Sequence, residues 1–88
     1  MKIHEEGALK ADVSVDARGT LCPIPIIRAA DTMRSVTVGD VLEVLATDVA
    51  VLEDLPAWCR ATGHEFCGFE IELPVYRGYA RCSHRLLL

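Results

Sequence analysis

One tetrapeptide in this 88-residue chain has the residue types for chemistry: Cys22-Pro23-Ile24-Pro25. A cysteine supplies a nucleophilic sulfur, and it attacks as the thiolate. Each proline pushes the residue before it out of the helical region, so Cys22 and Ile24 are expected to be extended. Proline also suits the first turn of a helix, where its missing N–H costs nothing, and a helix over 26–34 is expected to follow. A helix N-terminus offers unpaired N–H groups and a partial positive charge. A sulfur anion is favoured there, so the Cys22 thiol is expected to titrate below the free value of about 8.5. Pro23 and Pro25 stiffen the backbone and present the sulfur to a partner at a small entropic cost. Against this, free cysteines are among the most buried residues, and residue type alone favours a small packed hydrophobe. The placement between Gly19 and a double-proline helix start brings the two readings level. It indicates a reactive thiol without fixing the reaction.

The elements that must position this cysteine follow from periodicity. Residues 11–17 alternate, with Val13 and Val15 on one face and Asp12, Ser14 and Asp16 on the other, as in a half-buried strand. Arg18-Gly19-Thr20 is a loop in which Gly19 is free to take positive φ. In the helix over 26–34, Ile26, Ala30 and Met33 form the inward stripe. Val38-Gly39-Asp40 is a turn, and 41–46 is a second strand. Asp48 is a good N-cap for a helix over 50–62 that ends at Gly63. Leu52, Leu55 and Cys59 form its inward stripe, and Pro56 is expected to kink or interrupt it. Residues 64–85 read as a hairpin about Pro74-Val75. Setting Leu73 opposite Tyr76 puts Ile71 against Gly78, Phe69 against Ala80 and Cys67 against Cys82. The other face then pairs Glu72 with Arg77 and Glu70 with Tyr79. The order is βαβαββ. The expected fold is an α/β (α+β) two-layer sandwich: a four-stranded mixed sheet with both helices on one face. A single domain over 12–85 is expected, after a flexible lead-in over 1–11.

Composition narrows the function. The chain is 51% hydrophobic and 25% charged, ordinary for a folded domain. Its net charge of −4 and scattered arginines argue against direct nucleic-acid binding. Its longest apolar runs fall far short of the roughly 20 residues that cross a bilayer. The acids near the N-terminus do not suit a signal peptide, so the chain is expected to be cytoplasmic, with no membrane partner. Four cysteines in that setting are expected to be reduced.

The segment Asp16-Ala17-Arg18-Gly19-Thr20-Leu21-Cys22-Pro23-Ile24-Pro25 resembles the signature of the TusA (SirA-like) sulfur-carrier family, a Cys-Pro-x-Pro motif after a D-x-x-G loop. The resemblance continues in order through Val38-Gly39-Asp40, Thr47-Asp48, Leu55-Pro56-Ala57-Trp58-Cys59 and Gly63-His64-Glu65. It implies the same βαβαββ sandwich. It also implies that Cys22 carries sulfane sulfur as a persulfide, with Arg18, Gly19, Pro23 and Pro25 shaping its loop. A cysteine desulfurase or rhodanese-like enzyme would be the donor, and a cysteine of a sulfur-relay protein the acceptor. The sulfur would serve tRNA 2-thiolation, molybdenum-cofactor assembly or sulfur oxidation. The chain would be a sulfurtransferase-type carrier without turnover of its own, a monomer needing no cofactor. A regulatory partner-binding module and a thiol redox switch, with Cys59 as the resolving cysteine, are the alternatives.

Other residues read as structural or peripheral. Cys59 and Trp58 are expected to pack in the core. Cys67, Cys82, His64 and His84 are the right types for zinc, but alternation puts His64 and Cys67 on opposite faces unless a bulge intervenes, so no metal is expected. Arg28, Arg77 and Arg81 are candidates for docking an acidic partner. The apolar tail over 86–88 is a candidate edge cover or interface.

Overall fold

The computed structural model describes residues 10–85. Residues 1–9 of the expected lead-in, and the apolar tail over 86–88, lie outside the described residues. The elements run β1 (Val13–Asp16), α1 (Ile24–Met33), β2 (Val41–Ala46), α2 (Val51–Thr62), β3 (Glu65–Glu72) and β4 (Val75–Arg81), the order expected from periodicity. The sheet order is β1-β2-β4-β3. β1 and β2 are parallel and the other pairs antiparallel. α1 lies over β1 and β2, and α2 over β3 and β4. The result is a two-layer α+β sandwich with a mixed sheet.

Alternation sorts the sheet into two faces. Val13 and Val15 pair with Leu42 and Val44. Leu42, Val44 and Ala46 pair with Ala80, Gly78 and Tyr76. This face meets Ala29 and Met33 of α1 and Val51, Leu55 and Cys59 of α2 in one core. The open face carries a polar row. Glu43 accepts hydrogen bonds from Ser14 (2.8 Å) and Tyr79 (3.1 Å). Tyr79 also lies 3.3 Å from Glu70, and burial together with the two carboxylates pushes its phenol well up.

Several local expectations are corrected. α1 begins at Ile24, two residues early, because the Pro23 carbonyl already accepts the N–H groups of Ile26 and Ile27. Its buried stripe is Pro25, Ala29 and Met33. In α2 the buried stripe is Val51, Leu55 and Cys59, and the helix runs through Pro56 without interruption. Pro56 deprives only the Leu52 carbonyl of an intrahelical donor, while Leu55 and Cys59 anchor the helix on either side of it. Gly63 closes α2 in the left-handed region, as expected.

The hairpin register is shifted by two. Glu72 faces Val75 across the two-residue turn Leu73-Pro74, so Ile71 faces Tyr76 and Phe69 faces Gly78. The shift already takes Cys67 away from Cys82, and Cys67 is then the extra residue between Phe66 and Gly68, with no partner in the ladder. A two-residue slip leaves the side chains of 69–72 on their expected faces, whereas the bulge turns Phe66 onto the core face opposite Ala80. Glu72 still reaches Arg77 (3.4 Å), now as a diagonal neighbour.

Candidate functional site

The parallel pairing of β1 and β2 brings the ends of both strands to the same edge of the sheet. The loop over 17–23 and the segment over 47–50 therefore meet, and the start of α2 meets them too. Gly19 takes φ +79 with open space where a Cβ would be, so backbone conformation is what selects glycine there. Its N–H donates to Thr47 Oγ1 (2.9 Å). Thr20 folds back on the Ala17 carbonyl through its hydroxyl (2.7 Å). Arg18 grips Asp16 with Nε and Nη2 (2.8 and 2.7 Å) and lowers its carboxyl to about 2. Arg28 donates to the Asp16 carbonyl (3.0 Å). Both cations are thus engaged on Asp16.

Asp48 is the clip between the two segments. One carboxylate oxygen accepts the Cys22 N–H (2.8 Å) and the other the Ala50 N–H (3.0 Å), and these bonds hold its carboxyl below the ordinary range. The expected N-cap role is corrected: the helix caps at Ala50 without a side-chain bond, and Asp48 organises the turn just before it.

Cys22 is exposed. Its thiol donates to Asp54 Oδ2 at 3.0 Å, from the first turn of α2. The expected lowering of its pKa is corrected: the Asp54 hydrogen bond first, then desolvation and the nearby Asp54 and Asp48 charges, push the thiol up. A carboxylate in direct contact outweighs the partial charge of the α1 N-terminus.

The other candidate residues are placed as follows. Pro23 precedes α1 directly and Pro25 is buried in its first turn, so the two fix the helix start beside the sulfur. Arg77 lies in the same sheet row as Asp16, at the Cys22 end, and pairs with its diagonal neighbour Glu72. Arg81 lies at the far end, on Glu65 (3.3 Å) and the Gly39 carbonyl (2.9 Å). The three arginines therefore form no single patch. Cys59 is in the core and Trp58 packs against it. His64 stacks on His84 at 4.6 Å, accepts the Ser83 N–H at Nδ1, and is pushed down by burial and by His84. Cys67 turns to the Glu65 carbonyl instead. Among the described residues, no group of three or more His, Cys, Asp or Glu is placed to hold a metal.

Sequence reasoning did not single out Asp54. An acid in the first turn of a helix reads as an ordinary complement to the helix dipole. The usable signal was topological: a parallel β1–β2 pair puts the start of α2 beside the loop after β1.

The clip yields a prediction. Asp48→Ala frees the Cys22 and Ala50 amides, and both should exchange faster with solvent. A reaction needing a docked protein donor should slow on the order of tenfold, because its geometry is no longer held. Alkylation of Cys22 by iodoacetamide, which needs no docking, should not slow. Measuring both rates on one preparation checks the split.

A small two-layer α+β domain that presents a single exposed thiol on a clamped loop defines the class of this protein. The chain belongs to the TusA family, whose model, described as "Sulfurtransferase TusA", matches residues 13–81. It is 41% identical over 73 residues to the putative sulfur carrier protein YrkF of Bacillus subtilis, covering 83% of this chain and 40% of that relative. The chain thus spans less than half of YrkF. It is 36% identical over 70 residues to the sulfur carrier protein TusA of Pseudomonas entomophila, covering 80% of this chain and 88% of that one. Among solved structures, the SirA-like protein of Desulfitobacterium hafniense superposes with a TM-score of 0.70 at 25% identity, covering 82% of this chain and 99% of that one. No helix among the described residues is long and apolar enough to cross a membrane.

Proposed function

We propose that this protein is a sulfur carrier that takes sulfane sulfur onto Cys22 as a persulfide and relays it to a second protein. The observation that carries this reading is the exposed Cys22 thiol on a loop clipped at Gly19 and Cys22, in a chain of the TusA family. In loading, Cys22 sulfur attacks the outer sulfur of a donor persulfide. A new S–S bond forms at Cys22 while the donor's S–S bond breaks. The electron pair leaves on the donor cysteine, which takes up the proton that Cys22 gives up. In unloading, an acceptor thiolate attacks the outer sulfur and Cys22 departs. The sulfane sulfur keeps its oxidation state throughout, so no redox cofactor enters. The carrier has no turnover of its own.

The donor is a cysteine desulfurase or a rhodanese-like enzyme, and the acceptor a cysteine of a relay protein. Exposed apolar side chains at this end of the sheet, Leu21, Ile27, Val49 and Leu73, supply a surface on which either can dock. A net charge of −4 favours delivery through that acceptor over direct contact with tRNA. The working unit is one domain over 12–85, acting in a reducing cytoplasm. The test is to incubate the reduced protein with a persulfidated desulfurase and map the product by peptide mass spectrometry. One added sulfur, removable by dithiothreitol, is expected on the Cys22 peptide. No added sulfur, or sulfur spread equally over the four cysteines, would overturn the reading.

A further inference from the structure

The thiol that must become a nucleophile is held by an acid. Asp54 Oδ2 lies 3.0 Å from Cys22 Sγ, within hydrogen-bond reach. The charged groups facing Cys22 are Asp54 of α2 and Asp48 of the segment before it, both acids. The cations of the neighbourhood, Arg18 and Arg28, are turned to Asp16. The two acids play different parts. Asp48 is spent on the Cys22 and Ala50 backbone amides. Asp54 is the one that touches the sulfur.

We propose that Asp54 is the positioning residue of the sulfur site: it accepts the Cys22 thiol hydrogen bond, aims Sγ over the first turn of α2, and keeps the empty carrier in its unreactive protonated form until a docked partner separates the pair. An exposed thiolate is open to adventitious alkylation and oxidation, and the protonated form is not a nucleophile. Separation of Asp54 from Sγ makes the thiol easier to ionise, and in loading its proton passes to the donor's departing cysteine. After unloading, Cys22 regains a proton and the bond to Asp54 re-forms. This regulation rests on Cys22 being the sulfur-bearing residue, but its test does not, because alkylation reads the thiol whether or not it carries sulfur.

The experiment is the pH profile of iodoacetamide alkylation at the Cys22 peptide in wild type, Asp54→Asn, Asp54→Ser and Glu53→Gln. Removing the carboxylate in contact should move the profile down on the order of one pH unit, which makes alkylation up to about tenfold faster near neutrality. Glu53→Gln also removes an acid from the first turn of α2 and should superimpose on wild type. A general weakening of the helix would move Glu53→Gln as well, so that outcome overturns the proposal. So does an Asp54→Asn or Asp54→Ser profile that coincides with wild type or moves up.

Discussion

A Cys22→Ala variant should take up almost no sulfur from a persulfide donor, although three cysteines remain in the chain. The reason is physical access combined with ionisation. Cys59 is 1% exposed in the core, and burial, with a smaller contribution from Cys67, pushes its thiol up to about 11. At pH 7 its thiolate fraction is then about one in ten thousand, and no protein donor can reach it. Cys82 is 2% exposed, with its sulfur between the Val36 and His84 carbonyls. Cys67 is half-buried at the β3 bulge, and its thiol is also pushed up, by burial first and then by Glu65. Cys22 alone is exposed. Its own upward shift comes first from the surface hydrogen bond to Asp54, whereas the shift at Cys59 comes first from burial in the core. Loading measured by intact mass should therefore fall roughly a hundredfold or more. Cys22→Ser should do no better, because a hydroxyl cannot carry sulfane sulfur. Wild-type loading in the alanine variant would mean that a second cysteine is the acceptor.

The parts of this site that were legible in the sequence are those governed by local rules. The alternation of Val13 and Val15 and the β-rich run over 41–46 both set strands where they lie. The Cys22-Pro23-Ile24-Pro25 motif marked the junction of loop and helix, although α1 begins at Ile24 within it. What was not legible depends on distant residues meeting. Cys22 and Asp54 are 32 positions apart, and only the parallel pairing of β1 and β2 brings their segments together. The direction of the Cys22 shift was misjudged for that reason: the α1 terminus is visible in the sequence, and the acid opposite it is not. The hairpin shows a softer failure. Polar and apolar alternation sets the face of each residue along a regular ladder but is blind to a slip of two and to a bulge. The two-residue Leu73-Pro74 turn decided the register and took Cys67 away from Cys82, and the bulge then left Cys67 out of the ladder.

Gly78 tests whether packing or propensity governs the centre of the sheet. It lies buried on β4, between Val44 of β2 and Phe69 of β3, beneath α2. Its backbone needs no glycine, and by strand propensity alone Gly78→Ala would gain about 0.5–1 kcal/mol. A Cβ there, however, would overlap Leu55 Cδ2 and come within 2.9 Å of Phe69 Cε1. Leu55 is 0% exposed, so it has no open direction in which to move. Overpacking of this kind costs about 1–3 kcal/mol, which outweighs the propensity gain. The net loss should be about 1 kcal/mol, a fall in Tm of about 4–8 °C for a domain of this size. The sign can be made to reverse. Leu55→Ala alone should cost about 2–5 kcal/mol by opening a cavity. In that background the Gly78 methyl enters vacated space, and Gly78→Ala should become neutral or stabilising, with a coupling of about 0.5–3 kcal/mol in a double-mutant cycle. Denaturant melts of the four proteins measure this directly. If Gly78→Ala costs the same with and without Leu55, the close approach of α2 to β4 is not what keeps glycine there.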